Sequence, residues 1–445
     1  MPNKPLAQED YAMDLLIRRL RQQDLSEHTT TGNRDRTGSV GSAEEGQNSH
    51  RSMPAQSLIS AGTLGPANRG RLLQALYDMG PSSRADLARF TGVSRGTIGG
   101  IVQPLLDQRI LVEGEAIPPN QAGGKPATKL WFSKEARPIC AVLLMHDRVH
   151  TCLVSLEGEI YAKNVAEVPQ SLTSASDVFQ IVRGCVERTN TSRSYPMLGI
   201  GVAVAGMIDT ETGSIVDTGP VPYLDGFPMR AELTKKFGVP VVVDQDTRAL
   251  IVGDRWFGQG RGRRNFAVVY IGETLRGALF LNGHLHRGAA GAGGEIGHTI
   301  VQLNGRACHC GRRGCWETVA TLKWIRDKAD AIGLPQPHAL NAGRLVMLAD
   351  QGVKEAVNLL EEYAFNVSVG LSNLQHLIAP NCIILHGDVV HGGKRMLSLI
   401  ERSFRDQLID RPGDEIMLAL GESENVAVLR GAAGLILSEL LNFVI

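Results

Sequence analysis

Three of the seven cysteines, Cys308, Cys310 and Cys315, share the short loop Cys308-His-Cys-Gly-Arg-Arg-Gly-Cys315, and His298 lies ten positions ahead of the first. Three thiolates and one imidazole complete a tetrahedral Zn²⁺ shell, and the glycines let the loop close tightly around it. Four protein ligands leave no open position, so the expected metal is structural. His309 lies between two of the cysteines and is a competing ligand; buried free thiols are the plainer alternative. An odd cysteine count with this crowding fits a metal site in a reducing compartment, so the expected location is the cytoplasm. Cys140, Cys152, Cys185 and Cys382 fall in apolar stretches and read as core.

A chain of 445 residues predicts two or three domains. Fifty glycines suggest an α/β protein with many tight turns. The formal net charge is zero, so any nucleic-acid surface must be local. No apolar run approaches the ~20 residues that span a bilayer. The start, MPNKPLAQED, has no signal-peptide core. Neither a membrane nor secretion is expected.

Residues 24–66 are polar and lack aromatics, and residues 1–65 are read as a disordered extension. From Asn68 the pattern becomes helical. Leu72, Leu73 and Leu76 recur at helical spacing up to Gly80-Pro81. Ser83 with Asp86 opens a second helix, with Leu87 and Phe90 expected to face inward. After the turn Thr91-Gly92-Val93, Ser94 caps a third helix carrying Ile98, Ile101, Val102, Leu105 and Leu106. Two β-like stretches follow, 110–113 and 128–132, separated by a Pro/Gly loop.

Three helices and a hairpin over 66–135 make an α+β winged helix-turn-helix, whose third helix would enter the major groove of double-stranded DNA. Arg95, Thr97 and Gln103 are the candidate base readers, and Ser94 could contact phosphate. Arg69, Arg71, Arg84 and Arg89 could touch the backbone. Lys125, in the wing loop Gln121-Ala-Gly-Gly-Lys-Pro-Ala-Thr, suits a narrow minor groove. Between Pro66 and Lys134 stand nine Lys/Arg against five Asp/Glu, a local basic excess. The plainer alternative is a helical bundle with solvated charges. Gly99, Gly100 and Pro104 lie inside the reading helix, where each glycine costs ~1 kcal/mol against Ala and the proline should kink it.

Beyond about Ile139, apolar strands alternate with helical segments: 139–144, 198–204, 239–243, 266–271 and 382–386. The rhythm predicts an α/β region with two sheets' worth of strands. Glu295-x-Gly-His298 followed by Cys308-x-Cys-Gly-x-x-Gly-Cys-x-Glu317 resembles the ROK family, of repressors, open reading frames and kinases. With the N-terminal winged helix, the chain resembles its xylose and N-acetylglucosamine repressor branch. The resemblance implies an actin-like ATPase (ribonuclease H-like) two-lobed fold over 136–445. The lobes would be about 136–255 and 256–445, with the C-terminal helix able to pack back on the first lobe. It also implies a sugar cleft between lobes and a homodimer or homotetramer.

The resemblance makes Asp246, in Asp244-Gln-Asp246-Thr-Arg248, the catalytic-base position of a family kinase, here idle or sugar-binding. Gln245 replaces a sugar-binding Asn, and a second such Asn is replaced near Pro220-Val221. Glu295, His298 and Glu317 match sugar-binding positions, and His298 would hold zinc through its other ring nitrogen. Both phosphate turns depart from the family. Leu143-Leu-Met-His-Asp147 replaces Asp-x-Gly-Gly-Thr, and Gly272-Glu-Thr-Leu-Arg276 replaces Gly-Thr-Gly-x-Gly. Phosphate cradles need glycine where a side chain would block the backbone N–H groups. The expectation is a sugar-responsive regulator of carbohydrate genes, a repressor, with a degenerate kinase domain and no enzymatic activity. The alternatives are an active sugar kinase with an accessory DNA module, or a regulator that answers to a protein partner.

Overall fold

The computed structural model describes residues 61–107, 109–117, 127–190, 197–218, 221–409, 415–422 and 424–440. The expected extension lies outside these residues up to position 60. Helix α1 (Ala61–Met79) begins ahead of the expected boundary at 66. The apolar periodicity that drew that boundary starts only at Leu72, inside the helix. Leu72, Leu73 and Leu76 are fully buried.

Helix α2 (Arg84–Thr91) starts at a complete capping box. The Asp86 N–H donates to Ser83 Oγ at 3.2 Å, and the Ser83 N–H donates to the Asp86 carboxylate at 3.3 Å. Gly92, at φ 70°, ends it, and Ser94 Oγ accepts the Thr97 N–H as α3 (Arg95–Asp107) begins. Leu87 is buried, but Phe90 is 59% exposed, contrary to expectation. In so short a helix the core stripe is narrow, and Phe90 falls on its outer side near the last turn. Helix α3 runs on through Pro104, burying Ile98, Val102 and Leu105. Strand β1 (Ser82–Ser83) and the hairpin of β2 (Leu111–Ile117) and β3 (Ala127–Phe132) form a small antiparallel sheet in the order β1-β3-β2.

Two five-stranded sheets follow among the described residues, and their pairing is the same. In the first, β4 (Ile139–Leu144), β5 (Arg148–Val154) and β6 (Ile160–Glu167) are antiparallel; β7 (Gly199–Val204) and β10 (Val241–Gln245) add in parallel on the other side of β4. A small hairpin, β8 (Met207–Asp209) with β9 (Ser214–Asp217), lies between. In the second, β11 (Phe266–Ile271), β12 (Leu275–Leu281) and β13 (His284–His286) are antiparallel, and β14 (Cys382–Gly387) and β15 (Met417–Leu420) add in parallel. The repeated order makes the two lobes of an actin-like fold. Strands β4, β7 and β14 are buried along their whole length, as central strands covered on both faces must be.

Helices α4 (Ala175–Asn190) and α5 (Met229–Phe237) cover one face of the first sheet, whereas α6 (Asp246–Phe257) packs in a separate core with β4, β11 and the last helix. Helices α7 (Glu317–Ala320), α8 (Leu322–Ala331), α9 (Ala342–Asp350), α10 (Lys354–Ile378) and α11 (Gly393–Asp406) build the second lobe. The last helix, α12 (Glu424–Leu440), returns to the first sheet: a Cβ on Gly201 of β7 would lie 1.8 Å from the Ala432 carbonyl oxygen. One continuous core joins α1, α2, α3, β4, α6, β11 and α12. No helix among the described residues is long and apolar enough to cross a membrane.

Candidate functional site

The parallel strands β4, β7 and β10 end at a cleft of about 590 Å³, where α6 begins. Asp246 and Thr247, from the first turn of α6, form one wall. The β11–β12 turn, Gly272 to Arg276, forms the opposite wall with Glu295, His298, His309 and Glu317. Leu143, Met145 and His146, from the end of β4 and its turn into β5, line the floor with Leu250 and Val428. The four expected sugar residues therefore line a single cleft. Glu295 and His298 are held there by close backbone packing: a Cβ on Gly297 would lie 2.1 Å from the Leu275 carbonyl oxygen.

Charges in the cleft are paired across it. Arg276 Nη1, from the turn, donates to Asp246 Oδ1 at 3.1 Å. Behind it, Arg248 Nε bonds the buried Asp244 at 2.5 Å and Arg248 Nη1 reaches the Gly291 carbonyl. Glu273 is engaged by Arg326 at 2.6 Å. Asp388 and His391 also line the cleft, and burial pushes the Asp388 carboxyl up. Gln245 precedes α6 as its N-cap position without a capping side-chain bond, and Val221 is buried. Arg276 as the partner of Asp246, and Asp388 as a lining residue, were not singled out from the sequence. They meet the cleft through contacts 30 and more than 100 positions apart, which no local pattern carries.

At one end of the cleft the cysteines gather. His298, Cys308, Cys310 and Cys315 place one donor atom each within 4.8 Å of one another, a group that could hold a metal ion. Cys310 Sγ and Cys315 Sγ are 3.7 Å apart, and Cys308 Sγ is 3.6 Å from His298 Nδ1. A tetrahedron with metal–sulfur bonds of ~2.3 Å and metal–nitrogen bonds of ~2.0 Å has S–S edges of ~3.8 Å and S–N edges of ~3.5 Å, close to these two distances. A second set, His298, Cys308, His309 and Glu317, shares two members, and Glu317 Oε1 lies 2.9 Å from His309 Nε2 and 3.3 Å from His298 Nδ1. His309 is 74% exposed, and among the preferred four only Cys310 is likewise exposed. His298 Nε2 faces the other way, 3.8 Å from Glu295 Oε2. Burial pushes the Cys308 and Cys315 thiols up, while the backbone of Arg312 holds exposed Cys310 below the usual thiol range.

Away from the cleft, Ser94, Arg95, Thr97 and Gln103 all stand exposed. Ser94 and Thr97 share a hydroxyl contact of 2.8 Å, and Gln103 donates to Asp107. A Cβ on Gly96, Gly99 or Gly100 would meet nothing within 4 Å. Packing inside the molecule does not require glycine at any of the three. Arg69 and Arg71 are exposed, Arg84 is paired with Glu113 at 2.6 Å, and Arg89 with Asp86. Lys125 lies outside the described residues.

The chain is 25% identical over 389 residues to a xylose repressor of Bacillus spizizenii, covering 85% of this chain and 96% of that protein. Its fold matches a ROK family transcriptional regulator described as a homologue of the E. coli MLC protein, with TM-score 0.72 and 23% identity, over 86% of this chain and 98% of that one. A ROK family glucokinase from Streptomyces griseus, in complex with glucose and AMPPNP, matches with TM-score 0.56 and 24% identity, over 66% of this chain and 98% of that one. The ROK family profile matches residues 142–439, more than half of the sequence, and the chain belongs to the ROK family.

Proposed function

We propose that the protein is a sugar-responsive, DNA-binding transcription regulator, a repressor of carbohydrate genes, whose kinase-like cleft binds its ligand without phosphorylating it. What carries this reading is the extent of the likeness. The repressor match takes in 85% of the chain, whereas the glucokinase spans 66%. The difference is about the size of the segment with three helices and a hairpin.

In this reading α3 enters the major groove, with Arg95, Thr97 and Gln103 at base edges, Ser94 at phosphate and Lys125 in the minor groove. Three glycines that packing does not need, two of them (Gly99 and Gly100) in the interior of the helix at ~1 kcal/mol each, are accounted for by close approach to a duplex. In the cleft, Asp246, Glu295, His298 and Glu317 accept or donate to the hydroxyls of a sugar or sugar derivative. Zn²⁺ on His298, Cys308, Cys310 and Cys315 would be structural, fixing the His298 ring so that Nε2 faces the ligand. Phosphoryl transfer is disfavoured on three grounds. Asp246 is neutralised by Arg276, Glu273 stands in a phosphate turn, and Asp388 adds a further carboxylate to the cleft. A homodimer or homotetramer, placed in the cytoplasm, would set two reading helices at half-site spacing.

The test is affinity selection of sheared genomic DNA by the purified protein, with and without D-xylose or D-glucose. Recovery of a short inverted repeat, released by one sugar, is the expected result. ATP turnover on a hexose would instead establish the kinase reading, which the survival of Asp246 favours. Operator binding that no sugar alters, with no sugar raising Tm, would leave a protein partner as the signal.

A further inference from the structure

Every charged side chain along α6 is paired with a different part of the molecule. Asp246, at its start, meets Arg276 of the second lobe across the cleft. Arg248 bonds Asp244 and the Gly291 carbonyl. Asp254 Oδ2 lies 2.7 Å from His386 Nε2 on β14, in a pair that is almost wholly buried. Arg255 makes a two-pronged contact with Asp78, at 2.9 and 3.2 Å, and Asp78 belongs to the last turn of α1.

The end of α6 is seated on the same turn by its aromatic rings. Tyr77 meets Trp256 at 4.7 Å and Phe257 at 6.0 Å between ring centroids, both edge-on. Just past the helix, Gly262 N donates to Asp78 Oδ1 at 3.2 Å and Arg261 Nε donates to the Tyr77 carbonyl. A helix of about 18 Å thus has its first residue in the cleft and its last turn on α1, which packs on α2 and α3. Its long side lies at backbone distance from α12, where a Cβ on Gly431 would sit 2.0 Å from the Ala249 carbonyl oxygen. Val252 and Trp256 pack against Gly434 of α12, and the Trp256 indole N–H donates to Ser438 Oγ at 2.9 Å, so α12 moves together with α6.

We infer that α6 carries the state of the cleft to the reading helix, and that the Asp78–Arg255 pair is the joint through which it does so. The inference rests on the function proposed above, because only a chain with a cleft ligand and a DNA target has two states to connect. A ligand hydroxyl that takes Asp246 Oδ1 from Arg276 alters the hold on the first turn of α6. The helix moves as a rigid body, and Asp78 receives the displacement. Asp78 and Arg255 are positioning residues, distant from both ligands.

Lying between two sites is not coupling, so the test is a double-mutant cycle. Operator Kd is measured on the full chain for wild type, Asp246→Asn, Arg255→Gln and the double variant, using a fragment recovered by genomic selection. Asp246→Asn is expected to change Kd roughly fivefold or more, within the usual range of coupling between sites. The change disappears in the Arg255→Gln background and returns when the pair is reversed as Asp78→Arg with Arg255→Asp. A shift of equal size with and without Arg255, or no shift in an Asp246→Asn protein of unchanged Tm, overturns the inference. Tm with D-xylose or D-glucose is read in parallel. Absence of any shift in wild type counts against the sugar reading alone, since the cycle uses no sugar. Failure to recover any fragment overturns both.

Discussion

The cleft and the outward face of α3 are built on opposite plans. In the cleft, side chains already hold one another: Asp246 by Arg276, Glu273 by Arg326, Glu317 by His298 and His309. On α3, Arg95 and Thr97 stand exposed, and three glycines leave the surface bare of side chains that packing would have tolerated. A small ligand is bound best by groups fixed in advance, whereas a duplex needs a surface kept clear for close approach. Under the function proposed above, the difference separates a site built within the molecule from one completed by a partner.

Four experiments break or sharpen that contrast. The largest effect belongs to Cys315→Ser, at a fully buried ligand position of the metal proposed to hold the cleft wall. Metal content falls from one ion per chain to none, and Tm drops by roughly 6–12 °C, corresponding to about 3 kcal/mol. Retention of the ion would shift the ligands to His298, Cys308, His309 and Glu317. Next, Asp246→Asn removes an ionised acceptor of a sugar hydroxyl and weakens sugar binding by roughly 10- to 100-fold in calorimetry. Unchanged affinity would empty the cleft of the role given to it.

Gly100→Ala tests the other plan. The protein gains about 1 kcal/mol in denaturant unfolding, because the new methyl group meets open space, yet operator affinity falls. A stabilised protein that binds DNA as before would remove the reason for the glycine. The smallest effect is that of Arg276→Ala. Freed of a half-buried partner, Asp246 binds sugar up to about fivefold more tightly, and ATP is still not turned over. Turnover in this variant would mean that a single arginine, and not the pair of altered turns, silences the cleft.

That Asp246, Glu295, His298 and Glu317 belong together was legible in the sequence through the motifs that carry the family resemblance, and the four line one cleft. The α/β alternation and its two sheets' worth of strands were legible as apolar runs, though the repeated strand order and the pairing of β12 and β13 with β11 carried no such signal. Capping at Ser83 and Ser94 was read correctly, since a cap is decided within four residues. Phe90 was not, because a three-residue spacing puts it at the edge of a stripe that only the packed structure delimits. The Asp246–Arg276 and Arg255–Asp78 pairs were equally out of reach. Their members stand 30 and 177 positions apart, and nothing local to any of the four residues names its partner.

The order in which the chain is made gives the shared core a further meaning. Tyr77 of α1 packs on Trp256, and the Trp256 indole N–H donates to Ser438 Oγ in α12. A polypeptide leaves the ribosome N-terminus first. The helices that precede the two lobes are therefore the first of the described elements to emerge. Tyr77 finds Phe132 at 4.3 Å between ring centroids within its own segment, but Trp256, on which it also packs, waits for α12 some 180 residues further on. Until the final helix is in place, a growing chain displays an uncovered aromatic surface. A product cut short before α12 exposes that surface permanently, and its fate is aggregation or proteolysis before it can occupy a DNA site.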